Sequence, residues 1–164
     1  MSSQKSFSEH DVSSDSHHSL SDTAVSRIIK RKLKIIPRFC ETDMLGVIHN
    51  AEYLRWFEEG RLQILLEILP VDEAFERGLL FPVVENSCRY KSFARFGDAL
   101  ILTTTHRVCL TYKGRLEFHH SIVNEKTKSE IAEGNTAVTI LHRDGFSLVK
   151  EWPEDIRLRY AGLK

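Results

Sequence analysis

A single change of hydrophobic period constrains this chain more than any other feature. Between Asn50 and Leu69, the residues Tyr53, Leu54, Trp56, Phe57, Ile64, Leu65 and Ile68 recur at three- and four-residue steps. That spacing places them on one wide helical face. Asn50 serves as N-cap, the acids Glu52, Glu58 and Glu59 favour the positive end, and Pro70 ends the helix. On both sides the period falls to two. Arg27–Ile36 (RIIKRKLKII) predicts a strand stopped by Pro37, and four extended segments follow the helix: Phe81–Tyr90, Ala99–Tyr112, Arg115–Asn124 and Ile131–His142. In the second, Leu100, Leu102, Thr104, His106, Val108 and Leu110 share a face; in the third, Leu116, Phe118, His120 and Ile122 do. The junctions FGDA, YKGR and NEKTKSE predict antiparallel hairpins. One long apolar helix with a long antiparallel sheet is an α+β arrangement. Gly60, mid-helix at about 1 kcal/mol relative to alanine, predicts close packing of the helix on that sheet.

Length and charge narrow the function classes. The 164 residues suffice for one domain with a real core. Lys plus Arg and Asp plus Glu both number 23, so neither nucleic acid nor an anionic membrane is the expected partner. No apolar run reaches the roughly 20 residues of a membrane span. Cys40, Cys88 and Cys109 are widely spaced and odd in number, which predicts free thiols and a reducing, cytoplasmic setting. Residues 1–26 hold ten serines and three histidines without an apolar run, so a disordered tail is expected before a single domain at 27–164. Trp152–Lys164 predicts a short terminal helix after Pro153.

The segment with the most chemical content is ETDMLGVIHNAEYLRWFEEGR, Glu41 to Arg61. Asp43 precedes a turn containing Gly46, and the turn runs straight into the helix. A carboxylate beside a helix start can attack a carbonyl, or activate water against it, while free backbone N–H groups meet the developing negative charge. The same aspartate can equally be a turn residue that caps a backbone N–H. Gly46 fits a positive φ in either account.

With Asp43, Gly46, Val47, Ala51, Tyr53, the Phe57–Glu58 pair and Arg61, this block resembles the 4-hydroxybenzoyl-CoA thioesterase-like group of hotdog-fold acyl-CoA thioesterases. FPVVENSCRYKSFARFGDALIL, Phe81 to Leu102, resembles that group's second strand and its turn. The resemblance covers about Arg27 to His142. It implies a sheet wrapped around one helix and hydrolysis of acyl-CoA to a free acid and CoA. Asp43 would be nucleophile or general base, and the N–H of Asn50 the donor to the thioester oxygen. Many relatives carry histidine where Asn50 stands and an aromatic residue where His49 stands, so this chain departs from them there. His49 and Tyr53 are further site candidates. Homodimers or homotetramers, with the site where protomers meet, are implied as well. No cofactor or metal is expected.

Coenzyme A phosphates need cations. The resemblance points to Lys113 and Arg115 in the YKGR turn, with Lys91 and Arg95 before FGD as alternatives. Glu58 is a possible base, although Arg61 three residues on offers it an ion pair. His119 and His120 are neighbours on a strand, so they face opposite ways and cannot share one metal ion. Two other functions stay open beside hydrolysis: a dehydratase or hydratase of acyl thioesters, and a non-catalytic module that binds acyl-CoA. An acyl carrier protein thioester is an alternative substrate.

Overall fold

The computed structural model describes residues 27–109 and 114–164. Strand β1 (Arg27–Ile35) leads through a 3-10 turn at Phe39–Glu41 into the long helix α1 (Asn50–Ile68). A short helix α2 (Val71–Glu76) and a two-residue strand β2 (Leu79–Leu80) follow. Four long strands come next: β3 (Val83–Tyr90), β4 (Leu100–Val108), β5 (Leu116–Asn124) and β6 (Glu130–Val138). Strand β7 (Leu141–His142) and helix α3 (Glu154–Gly162) complete the chain. The segment expected to run from Ile131 to His142 is thus split in two, with β7 leaving the main sheet to pair with β2. Helix α2 and β2 occupy the stretch between the predicted helix and the extended segment that begins at Phe81. The expected tail at 1–26, and Leu110 to Lys113, lie outside the described residues.

The main sheet has the order β1-β4-β5-β6-β3, and every pairing within it is antiparallel. Two of the three expected hairpins form. The FGDA junction does not close one, because β4 has β1 and β5 on its two sides and β3 pairs with β6 instead. The chain crosses between the two halves of the sheet through residues 91–99, and β3 becomes an outer edge.

Helix α1 lies on the sheet, against β1, β3, β4 and β5. This is the hotdog architecture. Its buried face is the predicted stripe, with Tyr53, Trp56, Phe57, Ile64, Leu65 and Ile68 all in the core. Gly60 sits where a Cβ would collide with Thr104 Oγ1 and Leu102 Cδ2, the close approach its position predicted. On β4 and β5 the alternation is strict: Leu100, Leu102, Thr104, His106 and Val108, and Leu116, Phe118, His120 and Ile122, all point into the core. Beyond the other end of α1, α3 buries Ile156 and Tyr160. No helix among the described residues is long and apolar enough to cross a membrane.

Candidate active site

The loop between β1 and α1 is held from both ends. Glu41 is buried and takes three hydrogen bonds from Arg38, from its N–H at 2.6 Å, its Nε at 3.0 Å and its Nη2 at 2.7 Å. Burial pushes the Glu41 carboxyl up, but the Arg38 N–H and guanidinium outweigh it and hold the group below the usual range. The Glu41 carbonyl then accepts from His49 N at 2.8 Å, and a bridge joins Thr42 to Ile48. Between these anchors Asp43 N donates to Val47 O at 2.9 Å and Gly46 N to Asp43 O at 3.0 Å, with Gly46 at φ +71°. This tight turn holds Asp43 just ahead of the helix.

Asp43 Oδ1 accepts from Leu45 N at 2.8 Å. The aspartate therefore caps its turn, and that bond also orients the carboxylate. Its second oxygen has no hydrogen-bond partner among the described residues. The helix begins one residue earlier in its capping than the sequence pattern indicated. His49, not Asn50, is the N-cap: its extended backbone (φ −61°, ψ 139°) precedes α1, and its Nδ1 accepts from Ala51 N at 3.2 Å. Asn50 is the first helical residue. As such its N–H lies one turn too early for an intrahelical acceptor, and among the described residues it donates to no backbone carbonyl.

Asp43, His49, Asn50, Tyr53 and Lys91 line one cavity of about 410 Å³, together with Leu45, Val47, Ile48, Tyr90, Ser92 and Phe93. The wall contributed by Tyr90, Ser92 and Phe93 was not predicted. It comes from the end of β3 and the crossover after it, tied to the Asp43 loop by Ile48 N donating to Ala94 O at 2.9 Å. The only hint in the sequence was a tyrosine closing an extended segment. Tyr90 packs edge-on to Tyr53, with centroids 5.1 Å apart, and its hydroxyl donates to Asn50 O at 3.0 Å. Burial of that hydroxyl, aided by the neighbouring Cys88, pushes it up to about 12, so it stays a donor.

The remaining candidates lie elsewhere. Gly46 shapes the turn and Glu58 is exposed, bound by Arg61 Nη2 at 3.1 Å. Arg115 lines a separate recess of about 190 Å³ and is engaged by Glu85 at 2.6 Å and Glu117 at 2.8 Å. Lys91 reaches the cavity, yet its ammonium sits 2.9 Å from both Glu130 and Glu133. Arg95 is exposed, two residues past Phe93, and its side chain has no ion pair among the described residues. Lys113 falls outside them. His119 and His120 do face opposite ways: His120 is fully buried with Nδ1 3.0 Å from Thr104 Oγ1, and His119 is exposed beside Asn135. Among the described residues no three His, Cys, Asp or Glu side chains are grouped to hold a metal ion.

Comparison with known proteins gives consistent results. The family model described as "Thioesterase-like superfamily" matches residues 37–159. A Bacillus subtilis protein named "Putative acyl-CoA thioesterase YneP" is 31% identical over 74 residues, 44% of this chain and 54% of that protein. The chain thus matches about half the length of that relative. An Aquifex aeolicus "Putative esterase" is 28% identical over 100 residues, 60% of this chain and 75% of its own. Among solved structures, hypothetical protein TT1821 from Thermus thermophilus superposes with a TM-score of 0.68 at 28% identity, over 83% of this chain and 98% of its own. The DHNA-CoA thioesterase of Staphylococcus aureus has a TM-score of 0.71 at 24% identity, over 81% of this chain and 89% of its own, a likeness of fold.

Proposed function

The chain belongs to the thioesterase-like superfamily, and from that premise we propose that it is an acyl-CoA thioesterase. The observation that carries this reading is the shared cavity of the Asp43 carboxylate and the start of α1. With the thioester carbonyl over the helix start, its oxygen meets the Asn50 N–H and the positive end of the helix. Both stabilise the oxygen more as charge builds on it, and a preorganised donor of this kind contributes about 3 kcal/mol to the transition state. Asp43 supplies the other half: its free oxygen attacks the carbonyl carbon, or takes a proton from the water that does. The C–O bond forms, the C–S bond breaks, and the electron pair leaves on sulfur. In the direct route the proton taken by Asp43 ends on the CoA thiolate. In the covalent route a water then cleaves the acyl-Asp43 anhydride to free the acid and restore the carboxylate. Thiolate departs without a strong acid; Ser92, His49 and Asp43 all line the cavity, but among the described residues no hydrogen bond links them into a relay.

Apolar and aromatic walls from Leu45, Val47, Ile48, Tyr53, Tyr90 and Phe93 suit an acyl group. Arg95 is the cation we assign to the coenzyme A phosphates, since Lys91 and Arg115 are each engaged by two glutamates.

The test is thiol release from short, long and aromatic acyl-CoAs, with wild type beside Asp43→Asn and Arg95→Ala. The expected result is steady release by wild type, a loss of two or more orders of magnitude (about 3 kcal/mol or more) in Asp43→Asn, and a raised KM in Arg95→Ala. Equal release by wild type and Asp43→Asn would move the chemistry away from Asp43. Binding of acyl-CoA by folded protein without thiol release would leave a binding module or a hydratase.

A further inference from the structure

The bonds at the start of α1 form a directional chain. Tyr90 Oη donates to Asn50 O at 3.0 Å, and the N–H of that same peptide, carried by Ala51, donates to His49 Nδ1 at 3.2 Å. A backbone N–H can only donate, so Nδ1 is the acceptor and a neutral His49 ring carries its proton on Nε2. Donation into the carbonyl polarises the peptide and strengthens its N–H as a donor. Tyr90 therefore reinforces the bond that selects this tautomer. His49, Asn50 and Tyr90 all line the cavity that holds Asp43. Helix capping needs only the acceptor, and serine or threonine provides one with a shorter side chain. The imidazole adds a second group on its far edge, an N–H for which no acceptor is found among the described residues.

We propose that His49 is a second hydrogen-bond donor of this site, its Nε2–H meeting the thioester carbonyl oxygen alongside the Asn50 N–H, with Tyr90 as the positioning residue. This rests on the thioesterase reading and goes further by giving His49 a role that its position as cap does not require. The donor would act where charge develops, so its removal lowers kcat more than it changes KM.

Three variants and one spectrum test it. His49→Ser retains a cap but has no group that reaches as far as Nε2; it is expected to keep the wild-type Tm while kcat falls by about 10-fold or more. His49→Gln offers an N–H near the Nε2 position but caps poorly, so a lower Tm with kcat above that of His49→Ser is expected. In 15N spectra of the full chain, His49 should be protonated at Nε2 only. That N–H should move downfield on adding an acyl-CoA ketone analogue, in which CH2 replaces the thioester sulfur. Tyr90→Phe should shift the His49 Nδ1 resonance toward that of a free acceptor, a change that mere loosening of the loop would not single out. A proton on Nδ1, an unchanged kcat in His49→Ser, or an Nε2–H that the analogue leaves unmoved would overturn the proposal. Absence of thiol release by wild type would instead remove the thioesterase reading, while the spectrum with the ketone still decides whether His49 donates to the carbonyl.

Discussion

His120 and His106 are two histidines buried in the core. His120 lies flat on Phe57, with centroids 4.5 Å apart and an 8° angle between rings, and burial followed by the Arg61 charge pushes it down to about 3. His106 bonds Glu117 O at 2.7 Å and Tyr160 Oη at 2.8 Å, and burial holds it below the usual range too. Above about pH 6.5 both rings are neutral folded or unfolded, and they add no pH dependence. Below it the unfolded chain binds protons that the folded protein does not, so stability falls with pH. For His120 that loss continues until about pH 3, at about 1.4 kcal/mol per pH unit. Urea unfolding between pH 7.5 and 5 should show this slope, and His120→Gln should reduce it, whatever its stability at neutral pH, leaving the part that His106 supplies. A slope unaltered by the substitution would mean that other groups drive acid unfolding. Gly60 carries a second prediction at this scale. Gly60→Ala forces a methyl into Thr104 and Leu102, and it should lose about 1–3 kcal/mol by overpacking despite alanine's better helix propensity. A gain in stability would show that α1 can lift from the sheet.

At the level of elements, α3 shows how a terminal helix of modest length becomes part of the core. Its Tyr160 is buried, stacks on Trp152, and has its hydroxyl between His106 Nε2 and the Cys109 N–H, which donates to it at 3.2 Å. On the outer side, Arg159 binds Glu73 of α2 at 2.6 Å, and Asp155 is bound by Arg77 just after α2. The Glu73 and Asp155 carboxyls are accordingly held below their usual range by these arginines. These outer pairs are exposed or half-exposed and contribute little alone. The buried tyrosine hydroxyl matters more: Tyr160→Phe removes the partner of the buried His106 Nε2 and should destabilise by about 1–3 kcal/mol. A Tm equal to wild type would show that water or a rearranged backbone replaces the hydroxyl. Helix α1 differs in kind, since its start is both a structural cap and the floor of the cavity. Changes there should alter turnover and stability separately.

For the molecule as a whole, the exposed edge at β3 stands out. This eight-residue strand is the outer edge of the sheet, and seven of its residues are exposed. Val83 and Val84 are among them, at 42% and 53% exposure. A long edge with uncovered apolar side chains is a template for pairing. We propose that a second copy occupies it, bringing the partner close to Tyr90 and the cavity at the strand's far end. Sedimentation should then give at least twice the 18.9 kDa of one chain. The double variant Val83→Lys, Val84→Lys should shift the protein toward single chains and reduce thiol release with them. A monomeric wild type with full turnover would refute both parts.

The helix, the strands and most of the core could be read in the chain, because periodicity reports directly on which face of each element is apolar. Gly60 and Gly46 were legible for a related reason: a small residue inside a helix and a glycine in a turn each answer to local steric demands. Asp43 beside a helix start was visible too, since turn and helix are contiguous in the chain. Tertiary structure alone decided the rest. Whether β3 pairs with β4 or β6 depends on which sheet edges are already occupied, and nothing in the FGDA turn records that. Tyr90 and Phe93 meet Asp43 only through the crossover that follows β3. Lys91, a phosphate ligand by position, is engaged by Glu130 and Glu133 of β6, and Arg115 by Glu85 of β3 in addition to Glu117 two residues on. The cap passed from Asn50 to His49 because the Glu41 anchor fixes where the backbone turns into the helix. Periodicity carries one element's environment, whereas a site is assembled from separations that no local pattern encodes.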